Sequence, residues 1–244
     1  VRKVSFTGST AVGEEITRIA GVKRLSLELG ANCPMIVMPD ADLGLAAEAS
    51  AAGGYVNAGQ VCISLQRVIV HEDVYGDYLD ALRGPVEAFR MGDPLSSDTK
   101  IGAMISEAEA VRVEQWVDEA VASGARVVIG GQRDGAKLFP TVVADVTPAM
   151  RISQEEVFGP TLSVTKAANI DEAITLANDS SYGLGAGIFT KDVTSAMRFA
   201  REVDAGAIHV NWTPLWRADL MPYGGLKGSG IGKEGIRYAV DEMT

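Results

Sequence analysis

The sequence has 244 residues, 47% of them hydrophobic and 22% charged, with a net charge of −10. That is the composition of an ordinary globular chain, long enough to bury a sizeable core, and it excludes a disordered one. The acidic balance argues against a nucleic-acid partner, and no apolar run approaches the ~20 residues of a membrane span.

The chain opens on a strand-like run, Val4-Ser5-Phe6, which Gly8-Ser9-Thr10 turns into a helix from Ala11 to about Ala20, capped by Ser9 or Thr10. Ser26 to Leu29 reads as a strand closed by Gly30. An opening in mid-unit, without an initiator Met, reads as a processed or truncated piece of a longer protein. The Gly8 to Gly13 spacing matches neither GxGxxG nor a P-loop, so a phosphate-holding turn and an ordinary turn both stay open. Pro34 to Met38 is a short apolar strand, and Asp40-Ala41-Asp42 caps a small-residue helix from Leu43 to Val56. A strand follows over Leu65 to Val70, then an amphipathic helix over Asp73 to Phe89 and another over Glu107 to Ala122, capped by Ser106. Strands are expected at Arg126 to Ile129, Phe139 to Val143, Thr161 to Thr165, Gly183 to Phe189 and Gly206 to Val210. Helices are expected at Ile170 to Asn178 and Val193 to Val203. This alternation, with Val/Ile-rich strands, predicts an α/β fold whose mostly parallel sheet is covered by helices on both faces. The stretch Pro222 to Gly232 holds five glycines, too many for a helix or a strand interior. Its interleaved apolar and charged residues favour a backbone-tight functional loop over a flexible linker.

Only two cysteines occur, Cys33 and Cys62. They provide neither a disulfide framework nor a metal site, and they suit a reducing, cytoplasmic setting. The two histidines, His71 and His209, stand apart and read as structural. Cys33, before a strand, reads as a small buried residue. Cys62 differs. It ends Asn57-Ala58-Gly59-Gln60-Val61-Cys62, between a helix and a strand, where backbone N–H groups are free to point at an oxyanion. That position suits a nucleophile. A free thiol is only a few per cent thiolate at neutral pH, and a junction rich in N–H donors is expected to raise that fraction.

Six stretches, in order and spacing, resemble the aldehyde dehydrogenase superfamily of NAD(P)-dependent enzymes. They are Phe6-Thr7-Gly8-Ser9-Thr10 with Gly13; Leu27-Glu28-Leu29-Gly30; Gly59-Gln60-Val61-Cys62; Glu155-Glu156-Val157-Phe158-Gly159-Pro160; Asn178 with Tyr182-Gly183-Leu184; and Pro222-Tyr223-Gly224-Gly225-Leu226-Lys227 with Ser229-Gly230, Gly232 and Glu234-Gly235. The resemblance covers the whole chain. It implies an aldehyde dehydrogenase-like catalytic domain over 30–230, preceded by the end of a Rossmann-like NAD(P)-binding domain over 1–29. A tail, 231–244, would lead back toward the cofactor and oligomerisation region.

The resemblance also implies a chemistry, the oxidation of an aldehyde to a carboxylic acid with NAD or NADP. Cys62 would attack the aldehyde to give a thiohemiacetal and then a thioacyl enzyme, and Glu28 would activate the hydrolytic water. Gly8, Ser9, Gly13, Leu29 and Gly30 would lie along the cofactor, and Glu156 and Phe158 would hold its nicotinamide ribose. Ile63, Trp212, Trp216 and Arg217 would line the substrate pocket. Arg217 would pair either with an anionic group on a small aldehyde or with Asp219 or another loop group. No metal is implied. The implied partners are the small aldehyde and, at full length, further copies in a dimer or tetramer, with neither nucleic acid nor membrane. The wording of the cysteine and tail motifs is similar to lactaldehyde and succinate-semialdehyde dehydrogenases. Ala31 departs from the family, which usually carries a second glycine there. The family's first cofactor-domain strands, the asparagine of its oxyanion hole and its final strand lie outside this sequence. The 244-residue piece is therefore expected to bind NAD(P) poorly and to turn over slowly or not at all. A CoA-acylating relative and a non-catalytic domain of the same fold are the alternatives. Glu28 argues against the first, which needs no water-activating base.

Overall fold

The computed structural model describes residues 1–244. Its centre is a seven-stranded sheet in the order Ala207–Val210, Gly185–Phe189, Pro34–Val37, Arg67–His71, Thr161–Ala167, Thr141–Ala144 and Arg126–Ile129. The first six strands run parallel, and only Arg126–Ile129 is antiparallel to its neighbour. The central strands are continuous apolar runs because both faces are covered. Met35, Val37, Val68 and Val70 face one core, shared with Tyr55, Tyr78 and Trp116 from the helices Leu43–Tyr55, Tyr75–Glu87 and Glu107–Ala122. Ile36, Ile69 and Ile188, one residue out of phase, face a second core with Ile174 and Phe199 from Ile170–Asn178 and Val193–Glu202.

A smaller sheet stands beside it. Lys3–Thr7 runs parallel to Arg24–Glu28, and Glu28 and Leu27 pair antiparallel with Gly230 and Ile231. The helix between the first two strands, Thr10–Ile19, is capped by Ser9, whose hydroxyl accepts from the Val12 N–H.

Helices and strands lie within a residue or two of most expected ranges, and Glu107–Ala122, Arg126–Ile129 and Ile170–Asn178 coincide with them. The glycine-rich tail forms neither a helix nor a long strand but makes two short bridges: Leu226–Lys227 with Tyr182–Gly183, and Gly230–Ile231 with Leu27–Glu28. Glycine is what permits the second bridge. Gly230 has φ of +143°, and a Cβ there would collide with the Leu27 carbonyl oxygen. A helix, Ile236–Met243, follows that the sequence reading did not anticipate.

Candidate active site

The helix Leu43–Tyr55 begins at Asp42, whose carboxylate accepts from the Leu45 N–H. It ends in an unusual turn: Asn57, Ala58 and Gly59 all have positive φ, at 53°, 55° and 68°. Two of the three carry side chains in a region that L-residues disfavour. Side-chain amides hold the turn. The Asn57 amide donates to the Gln60 carbonyl at 3.1 Å, and the Gln60 amide donates to the Asn57 carbonyl at 3.2 Å. Gln60 Oε1 also accepts from the Ile105 N–H at 2.9 Å. The turn presses on the Glu155–Pro160 segment so closely that a Cβ on Gly59 would overlap the Gly159 carbonyl.

Cys62 emerges from this turn half-buried and faces a cavity of about 590 Å³. Glu28, Leu29, Gly30, Gly8, Ser9, Glu156 and Phe158 line the same cavity. The Cys62 sulfur lies 3.3 Å from the Tyr223 hydroxyl, and the Cys33 thiol donates to the Cys62 carbonyl at 3.8 Å. The N–H groups of the junction do not dominate the thiol as expected. Burial raises its pKa, the Tyr223 hydroxyl and the Ile63 N–H oppose that rise, and the Glu28 and Glu156 charges add to it. The net direction is upward, opposite to a rise in thiolate fraction. Cys33 is fully enclosed, and burial pushes it up to about 12.

Glu28 ends its strand only 7% exposed, with Oε2 buried and unpartnered. Burial, with the Glu234 carboxylate second, pushes it up to about 8 against the opposing pull of Arg217 and Lys233. The flanking leucines do not cause this. Leu29 packs on the helix at Gly13, where a Cβ would meet its Cδ atoms at 2.5 Å. The carboxylate is shut in by the tail: a Cβ on Gly224 would come within 3.4 Å of Glu28 Oε1. Glu28 also lines a second cavity, of about 520 Å³, together with Arg217, Lys233 and Glu234. A carboxyl that stays protonated to near-neutral pH but can release and take up a proton suits general acid–base work.

Glu156 accepts from the Ala31 N–H at 2.9 Å, and a Cβ on Gly30 would lie 2.6 Å from its Oε2. The absence of a side chain at Gly30 therefore makes room for the Glu156 carboxylate. Burial raises the Glu156 pKa. Phe158 sits at φ of +47° at the cavity wall and is 38% exposed.

Five expected site residues do not line this cavity. Gly13 is under Leu29 and away from the cavity surface. The Ile63 side chain is buried with Ala31, Cys33, Leu184 and Tyr223, so only its backbone reaches the thiol. Trp212 and Trp216 line a separate, open recess with His209, whose ring meets Trp216 edge-on at 6.0 Å. Arg217 pairs with Glu234 at 2.7 Å rather than with Asp219, and its guanidinium lies 4.1 Å above the Tyr223 ring. The tryptophan loop forms its own contacts, whereas Arg217 adjoins the thiol through Tyr223 and shares the second cavity with Glu28.

Several supporting residues were not singled out from the sequence. Gln66 accepts from the Val157 N–H at 2.7 Å and donates to the Ala31 carbonyl at 2.9 Å, which joins two of the motifs through one buried amide. Arg67 donates to the carbonyls of Asn32, Leu176 and Ala177 from a buried position. Arg112 and Glu109 complete the cavity wall near Glu156. No local pattern marks these residues, because each acts across a long sequence separation.

The family model for the aldehyde dehydrogenase family matches residues 1–244. A 3-sulfolactaldehyde dehydrogenase of Priestia aryabhattai is 48% identical over 244 residues, which are 100% of this chain and 51% of that protein. A lactaldehyde dehydrogenase of Methanococcus aeolicus is 40% identical over 244 residues, covering 100% of this chain and 52% of that one. Among solved structures, the NADP complex of the glyceraldehyde-3-phosphate dehydrogenase GapN from Methanocaldococcus jannaschii superposes with a TM-score of 0.97 at 39% identity, over 100% of this chain and 53% of that one. The chain spans about half the length of these relatives. It belongs to the aldehyde dehydrogenase family.

Proposed function

We propose that the protein carrying this chain oxidises a small aldehyde to its carboxylic acid with NAD(P)+, through a thioester on Cys62. The observation that carries this reading is that Glu28, at the end of a strand of the small sheet, and Cys62, on the turn leading into the large one, line one cavity together with Gly8, Ser9, Glu156 and Phe158.

The residues present fit a nicotinamide dinucleotide. The first-turn N–H groups of the helix Thr10–Ile19, beside Gly8 and Ser9, suit a phosphate. The Glu156 carboxylate suits ribose hydroxyls, and Phe158 and Val61 give an apolar wall. NAD(P)+, when bound, supplies the hydride acceptor that takes the thiohemiacetal to the thioester. Cys62 releases its proton to solvent in the cavity as its sulfur bonds to the aldehyde carbon, with the oxyanion beside the Cys62 N–H. Glu28 then takes a proton from water as the water oxygen bonds to the thioester carbon. The C–S bond breaks, the acid leaves, and Glu28 returns its proton to the departing sulfur, which restores both residues. A carboxyl in the same cavity as the thiol, placed to act on water, supports release to water rather than to CoA.

The names of the two relatives direct the substrate proposal to a small hydroxy-aldehyde, with a sulfonated one as the anionic case. The test is a panel of such aldehydes with NAD and with NADP, in the intact protein, followed by absorbance of the reduced cofactor. Cys62→Ser is expected to remove turnover. Glu28→Gln is expected to slow it by roughly 10²–10⁴-fold while an acyl adduct builds up on the Cys62 peptide in mass spectra. Full turnover in Cys62→Ser would refute the nucleophile. Parental turnover in Glu28→Gln without an adduct would refute the base, and acid release that requires CoA would establish the acylating alternative.

A further inference from the structure

One contact at the thiol has no role in the chemistry above. The Tyr223 hydroxyl, 161 residues along the chain from Cys62, lies 3.3 Å from its sulfur. The ring is buried at 3% exposure, and the hydroxyl has no other hydrogen-bond partner. The Arg217 guanidinium lies 4.1 Å above the ring and is itself held by Glu234 at 2.7 Å. Tyr223 and Glu234 also exchange backbone hydrogen bonds, N–H to O=C in both directions. The phenol is therefore fixed from its backbone, from its ring face and at its oxygen.

We propose that Tyr223 is a catalytic residue of this site, donating its O–H to the Cys62 thiolate, with Arg217 as the positioning residue that fixes and polarises its ring. The proposal rests on the reading of Cys62 as the nucleophile. While Cys62 is a thiol, either atom can donate. Once the sulfur is ionised it can only accept, so the phenol becomes the donor and the contact strengthens as the nucleophile forms. Burial and the neighbouring thiol keep the Tyr223 pKa well above the ordinary tyrosine range, so it donates without losing its proton. The cation over the ring face makes the phenol a better donor. The other groups facing the sulfur act differently. Glu28 and Glu156 oppose ionisation when charged, the Ile63 N–H favours it, and Cys33 stays a neutral thiol. This placement also gives Arg217 a task other than gripping an anionic substrate.

Alkylation of Cys62 by iodoacetamide in the intact protein, followed by peptide mass spectrometry across pH, tests this without turnover or cofactor. It can therefore fail while the aldehyde assay succeeds, and the reverse. Tyr223→Phe keeps the ring and removes the donor. The inflection of its alkylation profile is expected to move up by about one pH unit, with roughly tenfold slower labelling below it. An unchanged inflection overturns the proposal. A fluorinated tyrosine placed at 223, a stronger donor of nearly the same size, is expected to move the inflection down, and no movement there also overturns it. Arg217→Gln is expected to shift the profile upward in the parent and much less in Tyr223→Phe. Equal shifts in both backgrounds would remove Arg217 from the assignment.

Discussion

Among single residues, Glu28 carries the clearest pH signature. Unfolded, it titrates near the ordinary 4.5, and folded it is pushed up to about 8. Between those values the native state retains a proton that the unfolded state has released. Its contribution to stability is therefore complete below about pH 4.5 and is lost as pH rises through about 8. Glu28→Gln imitates the protonated form and cannot ionise. Thermal or denaturant unfolding at about pH 5 is expected to find the two proteins equally stable. At about pH 9 the variant is expected to be more stable by a few kcal/mol. A constant difference across that range would mean the carboxyl is not held high. The identity of this residue was legible in Leu27-Glu28-Leu29-Gly30, but its environment was not. The groups that enclose it and set its proton affinity, Gly224 and Glu234, come from the tail some two hundred residues later. The same applies to Cys62: local N–H donors were readable, whereas the burial that outweighs them, and the Tyr223 hydroxyl that opposes it, depend on tertiary packing.

Among the elements, the turn Asn57–Gly59 decides where the thiol goes. A small-residue helix leading to glycine was visible in the sequence, and so was the strand beyond it. Three successive positive φ values were not, since neither Asn57 nor Ala58 demands one. The strain is tolerated because Gln60 and Asn57 cross-link the turn and the Gly159 backbone closes over Gly59. Gly59→Ala meets two penalties at once: a side chain at φ of +68°, and a Cβ driven into the Gly159 carbonyl. The change is expected to cost about 3 kcal/mol or more in unfolding measurements, and to slow Cys62 alkylation because the Glu155–Pro160 segment must move away. A loss below about 0.5 kcal/mol would show that the turn relaxes freely. The helices and buried strands were the most readable elements because period and composition fix them locally. The two-residue bridges of the tail were the least readable, since their pairing partners decide them.

At the scale of the whole molecule, the site exists only if the two sheets keep a fixed relation, because Glu28 belongs to the small sheet and Cys62 leads into the large one. Ser229 is the joint. Its side chain is fully buried, donating to the Gly30 carbonyl at 2.7 Å and accepting from the Gly183 N–H at 3.0 Å. Its own carbonyl accepts from the Leu29 N–H at 2.9 Å. One hydroxyl thus ties Gly30, two residues beyond the strand that ends in Glu28, to the bridge leading into the strand Gly185–Phe189. The serine was read as part of a glycine-rich motif, with nothing in that run to show which two backbone groups it would join. Ser229→Ala leaves a buried carbonyl and a buried N–H without partners, at roughly 1–3 kcal/mol each. The expected result is a loss of about 2–4 kcal/mol in denaturant unfolding, with faster amide exchange at Leu29 and Ile231, where the tail is stitched to the small sheet. Exchange at Val68 and Val70, in the centre of the large sheet, is expected to change only as global stability does. If the Leu29 amide exchanged no faster than global unfolding allows, the Gln66 and Glu156 bonds to Ala31 and the apolar packing would suffice to hold the sheets, and the relation between thiol and carboxylate would not depend on this hydroxyl.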